Sequence, residues 1–245
     1  MPLKPMNPGA RLSRRWRQAG ATLMEFAVVF PLAALFVLCV IQAGFLYMAK
    51  STLNHATFLA ARAGALHNAR QGAMESELKR AMIPFFQNST DANDTSRIGQ
   101  AYVLSQIDQA LPWGAKLTRL SPTSAAFKDF GVTDPVKKVK YIPNDNLEWR
   151  GLGIGANSRM HIRDANLLKV KVVYGYQLKV PLMAGLVSRL MCGGSIGVSA
   201  WGDVKKIDSV YGLTDVQKCL IYYQQGRIPI ESFAIVEMQS RAEDS

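Results

Sequence analysis

The sequence predicts an α+β protein: an N-terminal transmembrane helix that continues beyond the membrane, followed by an α+β domain with an antiparallel sheet. Three observations predict this architecture: an apolar run near the N-terminus, helical periodicity up to about residue 111, and alternating apolar and polar residues over 168 to 180. The predicted organisation is a basic leader at 1 to 20, the transmembrane helix and its extension at 21 to 70, and the α+β domain at 71 to 245.

The apolar run from Phe26 to Tyr47 predicts one membrane crossing. Its 22 residues carry no charge, and as a helix they extend roughly 33 Å, against a hydrocarbon core of about 30 Å. Four arginines precede the run: Arg11, Arg14, Arg15 and Arg17. The positive-inside rule therefore places the N-terminus in the cytoplasm and exports residues 71 to 245.

A secretory signal peptide is the competing interpretation of this segment. Its apolar region is usually about 7–15 residues long and ends at a small-residue cleavage site. The nearest such site here, Ala61-Arg62-Ala63, lies well past the run. We therefore expect the span to be retained.

Three helical segments follow or extend the span. Residues 51 to 70 should continue the membrane helix. Ala56, Ala60 and Gly64, at four-residue spacing, form either a strip for close helix approach or a core face of the protein's own domain. Met74 to Met82 and Ile98 to Leu111 are predicted helices, each followed closely by a proline.

The clearest strand is predicted from Leu168 to Val180, where every second residue is apolar and lysine or glutamine fills most of the positions between, before Pro181. Ile196 to Ala200 and Ile228 to Met238 are the other strand candidates. Leu182 to Met191 is predicted to form a short helix. These segments predict an antiparallel sheet packed against the helical part.

Charge and cysteines add limited information. The net charge is +11, but five basic residues and no acid lie in residues 1 to 20, which leaves +6 for the remainder. No basic patch interleaved with aromatic residues is present, so nucleic acid is not an expected partner. Cys39 lies in the span. Cys192 and Cys219 lie in the exported part, where disulfides persist, and a bridge between them is our hypothesis.

Three motif fragments resemble parts of catalytic motifs. Gly193 to Gly197 fits the G-x-S-x-G pattern, but the predicted order is helix then strand, the reverse of a nucleophile elbow, and no histidine follows. Ser76 and Lys79 match S-x-x-K without its companion motifs, and Gly151 to Gly155 lacks a strand-to-helix unit. The histidines have no metal-ligand spacing. We therefore expect no catalytic, cofactor or metal site.

The start of the apolar run resembles a type IV prepilin signal. Basic residues precede Gly20-Ala21-Thr22-Leu23-Met24-Glu25, and apolar residues follow. The resemblance implies that prepilin peptidase cuts between Gly20 and Ala21 and leaves the span attached. It also implies that Glu25, at the fifth mature position, meets the new N-terminal amine of a neighbouring subunit. A carboxylate in low dielectric is tolerable when paired and costly when alone.

A longer stretch, Ala21 to Ala65, resembles the TadE-like family of minor pseudopilins of tight-adherence (Flp) pilus systems. The resemblance rests on Glu25-Phe26-Ala27, Pro31 and the run from Ala60 to Ala65. Two later stretches are similar to longer members of the family: Asp164 to Val170 with Tyr174 and Pro181, and the tail from Arg227-Ile228-Pro229 through Met238-Gln239-Ser240.

The resemblance implies a non-enzymatic, single-pass protein of the bacterial inner membrane with a periplasmic C-terminal domain. It would act in Flp or type IV-like pilus assembly through helix–helix contacts. The implied partners are prepilin peptidase, other pilin-like subunits and the inner-membrane assembly machinery. The alternatives are an extracytoplasmic enzyme or ligand-binding domain on a plain anchor, and an adhesin carried on the pilus.

Overall fold

The computed structural model describes residues 13–87, 93–151, 153–192 and 215–244. The chain divides into two compact units, residues 1 to 44 and 45 to 245. The predicted fold class is confirmed: a long apolar N-terminal helix is followed by an α+β region with antiparallel sheets. The predicted strand at Ile196 to Ala200 lies outside the described residues.

The described helices include the long first helix and six shorter ones. Their bounds are α1 Ser13–Leu66, α2 Gln71–Ala81, α3 Asp94–Ala110, α4 Ser124–Phe130, α5 Ile162–Ala165, α6 Met183–Cys192 and α7 Asp215–Ile221. Short 3₁₀ turns occupy Ile83–Phe85 and Tyr223–Gln225. α2, α3 and α6 confirm the predicted helices, with ends shifted by a few residues. α4 begins at a Thr123 cap, whose hydroxyl accepts a hydrogen bond from the Ala126 N–H at 3.2 Å.

Six described strands form two antiparallel sheets. The strands are β1 Lys116–Ser121, β2 Val132–Thr133, β3 Lys140–Ile142, β4 Leu167–Gln177, β5 Arg227–Glu237 and β6 Ala242–Glu243. The larger sheet has the order β1-β4-β5, and the smaller has the order β2-β3-β6. β4 lies at the centre of the larger sheet and pairs with β5 along its whole length, from Leu167 opposite Glu237 to Gln177 opposite Arg227.

The predicted alternation in β4 holds from Leu167 to Val172, but Val173 and Gly175 are buried as well, so the expected wet face is absent from the later half of the strand. The strand also ends three residues earlier than predicted. Leu168, Val170 and Val172 are fully buried and face the core. Beyond Gln177, the N–H of Leu178 donates to the carbonyl of Gly226. Gly226 has a φ of 65° and lies just before β5, so the chain turns there and leaves no strand opposite residues 179 and 180.

The core of the second unit lies between the last turns of α1 and the larger sheet. The small-residue strip of α1 is buried in this core, with Ala56 and Ala60 at 0% exposure. A Cβ at Gly64 would lie 2.6 Å from the Met74 side chain and 2.8 Å from Leu168. Of the two interpretations of the strip, the structure therefore supports a core face of the protein's own domain.

The C-terminal tail fastens the end of α1. The Ser240 hydroxyl donates to the carbonyl of Ala65 at 2.9 Å and accepts from the N–H of Asn68 at 2.8 Å. Glu243 forms an ion pair with Arg70 at 2.9 Å. The last carbonyls of a helix have no partner within the helix, so the tail supplies one of the missing hydrogen bonds.

Candidate functional site: the N-terminal part of α1

The residues of the predicted processing and assembly site all lie in α1. Gly20, Ala21 and Glu25 are within Ser13–Leu66, and the Gly20–Ala21 peptide bond is in helical backbone. Ala21 and Glu25 are four residues apart in the sequence, which is about one turn of helix.

Glu25 is the one charged residue in the sequence from 24 to 48. Its side chain is exposed. No hydrogen bond or ion pair joins this carboxylate to another side chain of the described ranges. A carboxylate on an apolar helix is stabilised by an opposite charge, and among the described side chains Glu25 has no such partner.

Apolar side chains cover the helix around Glu25. Phe26 is 65% exposed and stacks on Phe30 with 5.2 Å between ring centroids. Large side chains continue the exposed surface beyond this pair: Val28, Val29, Leu32, Leu35, Phe36, Val37, Val40 and Ile41. Among the described residues, one helix is long and apolar enough to cross a membrane, Met24–Leu66, with a mean hydropathy of 2.5 in its most apolar window. This helix is consistent with a single-pass membrane anchor.

Two cysteines of the second unit form a second predicted feature. The Cys192 and Cys219 sulfurs are joined in a disulfide, with the two Cα atoms 5.6 Å apart. The bond links the end of α6 to α7. Cys39, in the apolar part of α1, is not in a disulfide.

The enzyme-like motif fragments acquire no catalytic geometry in the described ranges. The Ser76 hydroxyl donates to the carbonyl of Ala73, one turn back in α2. Gly193 to Gly197 lies outside the described ranges. No group of three or more metal-ligating side chains occurs within residues 13–87, 93–151, 153–192 and 215–244.

Sequence reasoning missed a buried ion pair in the second unit. The Arg227 guanidinium lies 3.6 Å from the Asp108 carboxylate, and it also covers the Trp113 ring at 4.9 Å. Burial raises the pKa of Asp108, while the charge of Arg227 counteracts this effect. No spacing signal links residues of α3 and β5, so only the folded chain brings these charges together.

A hydrogen-bonded loop around Asp129 was also missed. Its carboxylate accepts hydrogen bonds from the N–H of Ser158 at 2.7 Å and the side-chain amide of Asn157 at 2.6 Å. The Ser158 side chain, followed by the Asn157 side chain, lowers the pKa of Asp129 to about 2. The run Asn157-Ser158 is a turn signal in the sequence, but its carboxylate partner lies 28 residues earlier.

Comparison with known proteins identifies the N-terminal part of the chain. No curated protein and no solved structure matches it. The model of the family described as TadE-like protein matches residues 20–62, the stretch that carries Glu25, the apolar run and most of the small-residue strip. The match agrees with the family predicted from the sequence. It also covers the segment in which Glu25 stands alone among apolar residues. Residues 20–62 of the chain are therefore a TadE-like segment, and the TadE-like family is associated with the Tad pilus.

Proposed function

We propose that this protein is a membrane-anchored pseudopilin-like component that acts in the assembly of a Flp-type, tight-adherence pilus. Prepilin peptidase cuts between Gly20 and Ala21, and α1 remains in the inner membrane with its N-terminus in the cytoplasm. Residues 71 to 245 are then periplasmic. The observation that carries the proposal is a lone carboxylate, Glu25, on an exposed apolar helix inside the segment that matches the TadE-like family.

Helix–helix contact with other pilin-like subunits is the proposed mode of action. The small-residue strip from Ala56 to Gly64 is already occupied by the protein's own core. Contacts with another subunit within the membrane therefore use the exposed side chains that surround Phe26 and Phe30. Close packing, rather than the hydrophobic effect, drives helix association in lipid, so the shape of this surface selects the partner.

Glu25 sets the register of that contact. Cleavage after Gly20 creates a positively charged amine on Ala21, and the same amine on a neighbouring subunit is the partner for the Glu25 carboxylate. A charge at the bilayer centre costs on the order of 2.5–3.5 kcal/mol on insertion scales, and pairing offsets this cost. Subunits that stack in the wrong register leave both charges unpaired.

The first test is the N-terminal mass of the protein extracted from membranes of cells with and without prepilin peptidase. A start at Ala21 that depends on the peptidase supports the proposal. An unprocessed start in both strains contradicts it and favours a plain anchor that tethers an extracytoplasmic enzyme or binding domain.

Two pairs of variants separate processing from assembly. Gly20→Ala should block cleavage. Gly44→Ala, in the same helix, should leave cleavage intact, because the added Cβ would meet nothing within 4 Å. Glu25→Gln should be cleaved but fail to co-purify with pilin-like subunits, whereas Met24→Leu should co-purify normally. Pilus formation that is normal in Glu25→Gln would contradict the proposed role of the carboxylate.

A further inference from the structure

Trp149 is the most exposed large aromatic side chain that the structure describes. It is 89% exposed and lies in the loop between β3 and α5. Large aromatic residues usually bury most of their surface, and tryptophan is enriched where one molecule binds another. The exposed indole of Trp149 is therefore a candidate contact for a ligand.

The loop around Trp149 is held by its own hydrogen bonds. The N–H of Trp149 donates to the carbonyl of Asn146 at 3.0 Å. Arg150 donates to the carbonyl of Asp145 at 3.0 Å and forms an ion pair with its carboxylate at 3.3 Å. Leu147 packs against the core. The neighbours of Trp149 are thus fixed on both sides, and the indole is presented outward by an ordered turn.

A depression of about 600 Å³ opens beside the indole. This volume is within the range of about 300–1,000 Å³ that is typical of small-molecule sites. Leu147 and Leu167 supply apolar lining. The polar lining comes from three separate parts of the fold, namely the loop, α5 and the end of β5: Asn146, Glu148, Arg163, Asp164 and Glu237.

The charged side chains of this lining make no stabilising polar contact within the described ranges. Within the described ranges, no hydrogen bond or ion pair engages the side chains of Glu148, Arg163, Asp164 or Glu237. Elsewhere in the second unit, carboxylates close to a cation pair with it, as Glu231 does with Lys171 at 3.0 Å. Several polar groups therefore converge on one depression and remain available to a ligand.

The chemistry of the lining selects a neutral, hydroxyl-rich ligand. Three carboxylates disfavour an anion, and the Arg163 guanidinium offsets part of the negative charge that would attract a cation. Hydroxyl groups both donate and accept, so they satisfy carboxylates, an amide and a guanidinium together. The C–H face of a sugar ring also suits the negative face of an indole, since its hydrogens carry partial positive charge.

We propose that the depression beside Trp149 binds a short neutral oligosaccharide, with one sugar ring stacked on the indole and its hydroxyls bonded to the surrounding polar side chains. The site is independent of Gly20 and Glu25. It gives residues 71 to 245 a ligand-binding role that does not depend on processing or on subunit stacking.

The test is ligand-observed saturation-transfer NMR on the full chain in phosphocholine nanodiscs, because maltoside detergents are themselves saccharides. The neutral probes are cellotriose, maltotriose and chitotriose. Trilysine and a heparin-derived disaccharide represent cationic and anionic ligands. We expect saturable binding of at least one neutral probe, and no Trp149-dependent binding of the charged ones.

Variants locate the binding. Trp149→Ala should weaken it at least about tenfold, Trp149→Phe by less, and Asp164→Asn by about threefold. Phe233→Ala is the matched control, since Phe233 is an exposed aromatic (58%) on β5 away from the depression, and it should bind as the parent does. A thermal melt that matches the parent shows that each variant is folded.

Three results would overturn the proposal. They are no binding of any neutral probe, neutral binding that survives Trp149→Ala, and Trp149-dependent binding of trilysine or the heparin disaccharide instead. The last result would identify a peptide or polyanion site.

Discussion

The Arg227 guanidinium lies 3.6 Å from the Asp108 carboxylate, and their side chains are only 14% and 9% exposed. The guanidinium also donates to the carbonyl of Gly175 at 2.8 Å, in the central strand β4. The pair thus joins α3 to both long strands of the larger sheet. Breaking a buried pair leaves one charge without compensation, which is much more costly than replacing both partners.

Arg227→Met should therefore destabilise the second unit by about 3–5 kcal/mol. The loss should shrink as pH is lowered, because Asp108, whose pKa is already raised by burial, then becomes neutral. The double variant Asp108→Asn/Arg227→Met should lose less than Arg227→Met alone. Urea unfolding followed by tryptophan fluorescence measures all three, and equal losses in the single and double variants would contradict this expectation.

Asp129 should make stability depend on pH in the acid range. Its pKa is about 2 in the folded chain, below the ordinary value of 3.8. A lowered pKa in the folded state means that the unfolded chain binds the proton more tightly. The stabilisation is therefore present above about pH 4 and is lost as the pH falls towards 2.

The variant Asp129→Asn isolates this contribution from those of other acids. The difference in unfolding free energy between the parent and Asp129→Asn should be constant from pH 7 to 5 and should narrow from pH 4 to 2. Unfolding curves at single-unit pH steps measure it. A difference that stays constant down to pH 2 would show that the carboxylate does not hold the Asn157-Ser158 turn.

Gly64 should not tolerate a side chain. Gly64→Ala places a Cβ 2.6 Å from Met74 and 2.8 Å from Leu168, and overpacking of this kind typically costs 1–3 kcal/mol. Gly72→Ala in α2 is the matched control, because its Cβ meets nothing within 4 Å. That substitution should be neutral or stabilising by up to about 1 kcal/mol. Similar melting temperatures for the two variants would contradict the close approach at Gly64.

The Cys192–Cys219 disulfide should contribute about 3–4 kcal/mol, because it closes a loop with a sequence separation of 27. Cys192→Ser/Cys219→Ser should lower the unfolding free energy by this amount, whereas Cys39→Ser should not. Alkylation and mass mapping of the unreduced parent should find one free thiol. Three free thiols would show that the Cys192–Cys219 bond does not form in the isolated protein.

Sequence patterns predicted the elements that are long enough to show a regular apolar period of their own. β4 was recognisable because one face is buried along its length, as at Leu168 and Val170. β1 was not, since Arg119 and Leu120 break its alternation. β2, β3 and β6 have two or three residues each, too few for a period to be visible, and they exist because β3 pairs with both neighbours.

The functional features also differ in whether a local sequence pattern could reveal them. Gly20 and Glu25 could be predicted as site residues because their signal is local: a glycine, a carboxylate and the charge asymmetry around an apolar run. Asp129 and its turn, Arg227 with Asp108, and the depression at Trp149 bring together residues that are distant in sequence. No single segment carries their pattern, so they became visible only in the folded chain.

The fastening of α1 by the C-terminal tail has a consequence for biosynthesis. Ala65 and Asn68 bond to Ser240, and Arg70 pairs with Glu243, so the end of α1 gains these partners only after more than 170 further residues have been translated. The alanine-rich face of α1 stays uncovered throughout translation of the intervening chain. A nascent chain that stalls before residue 238 lacks Ser240 and Glu243, and therefore cannot form these contacts with the end of α1.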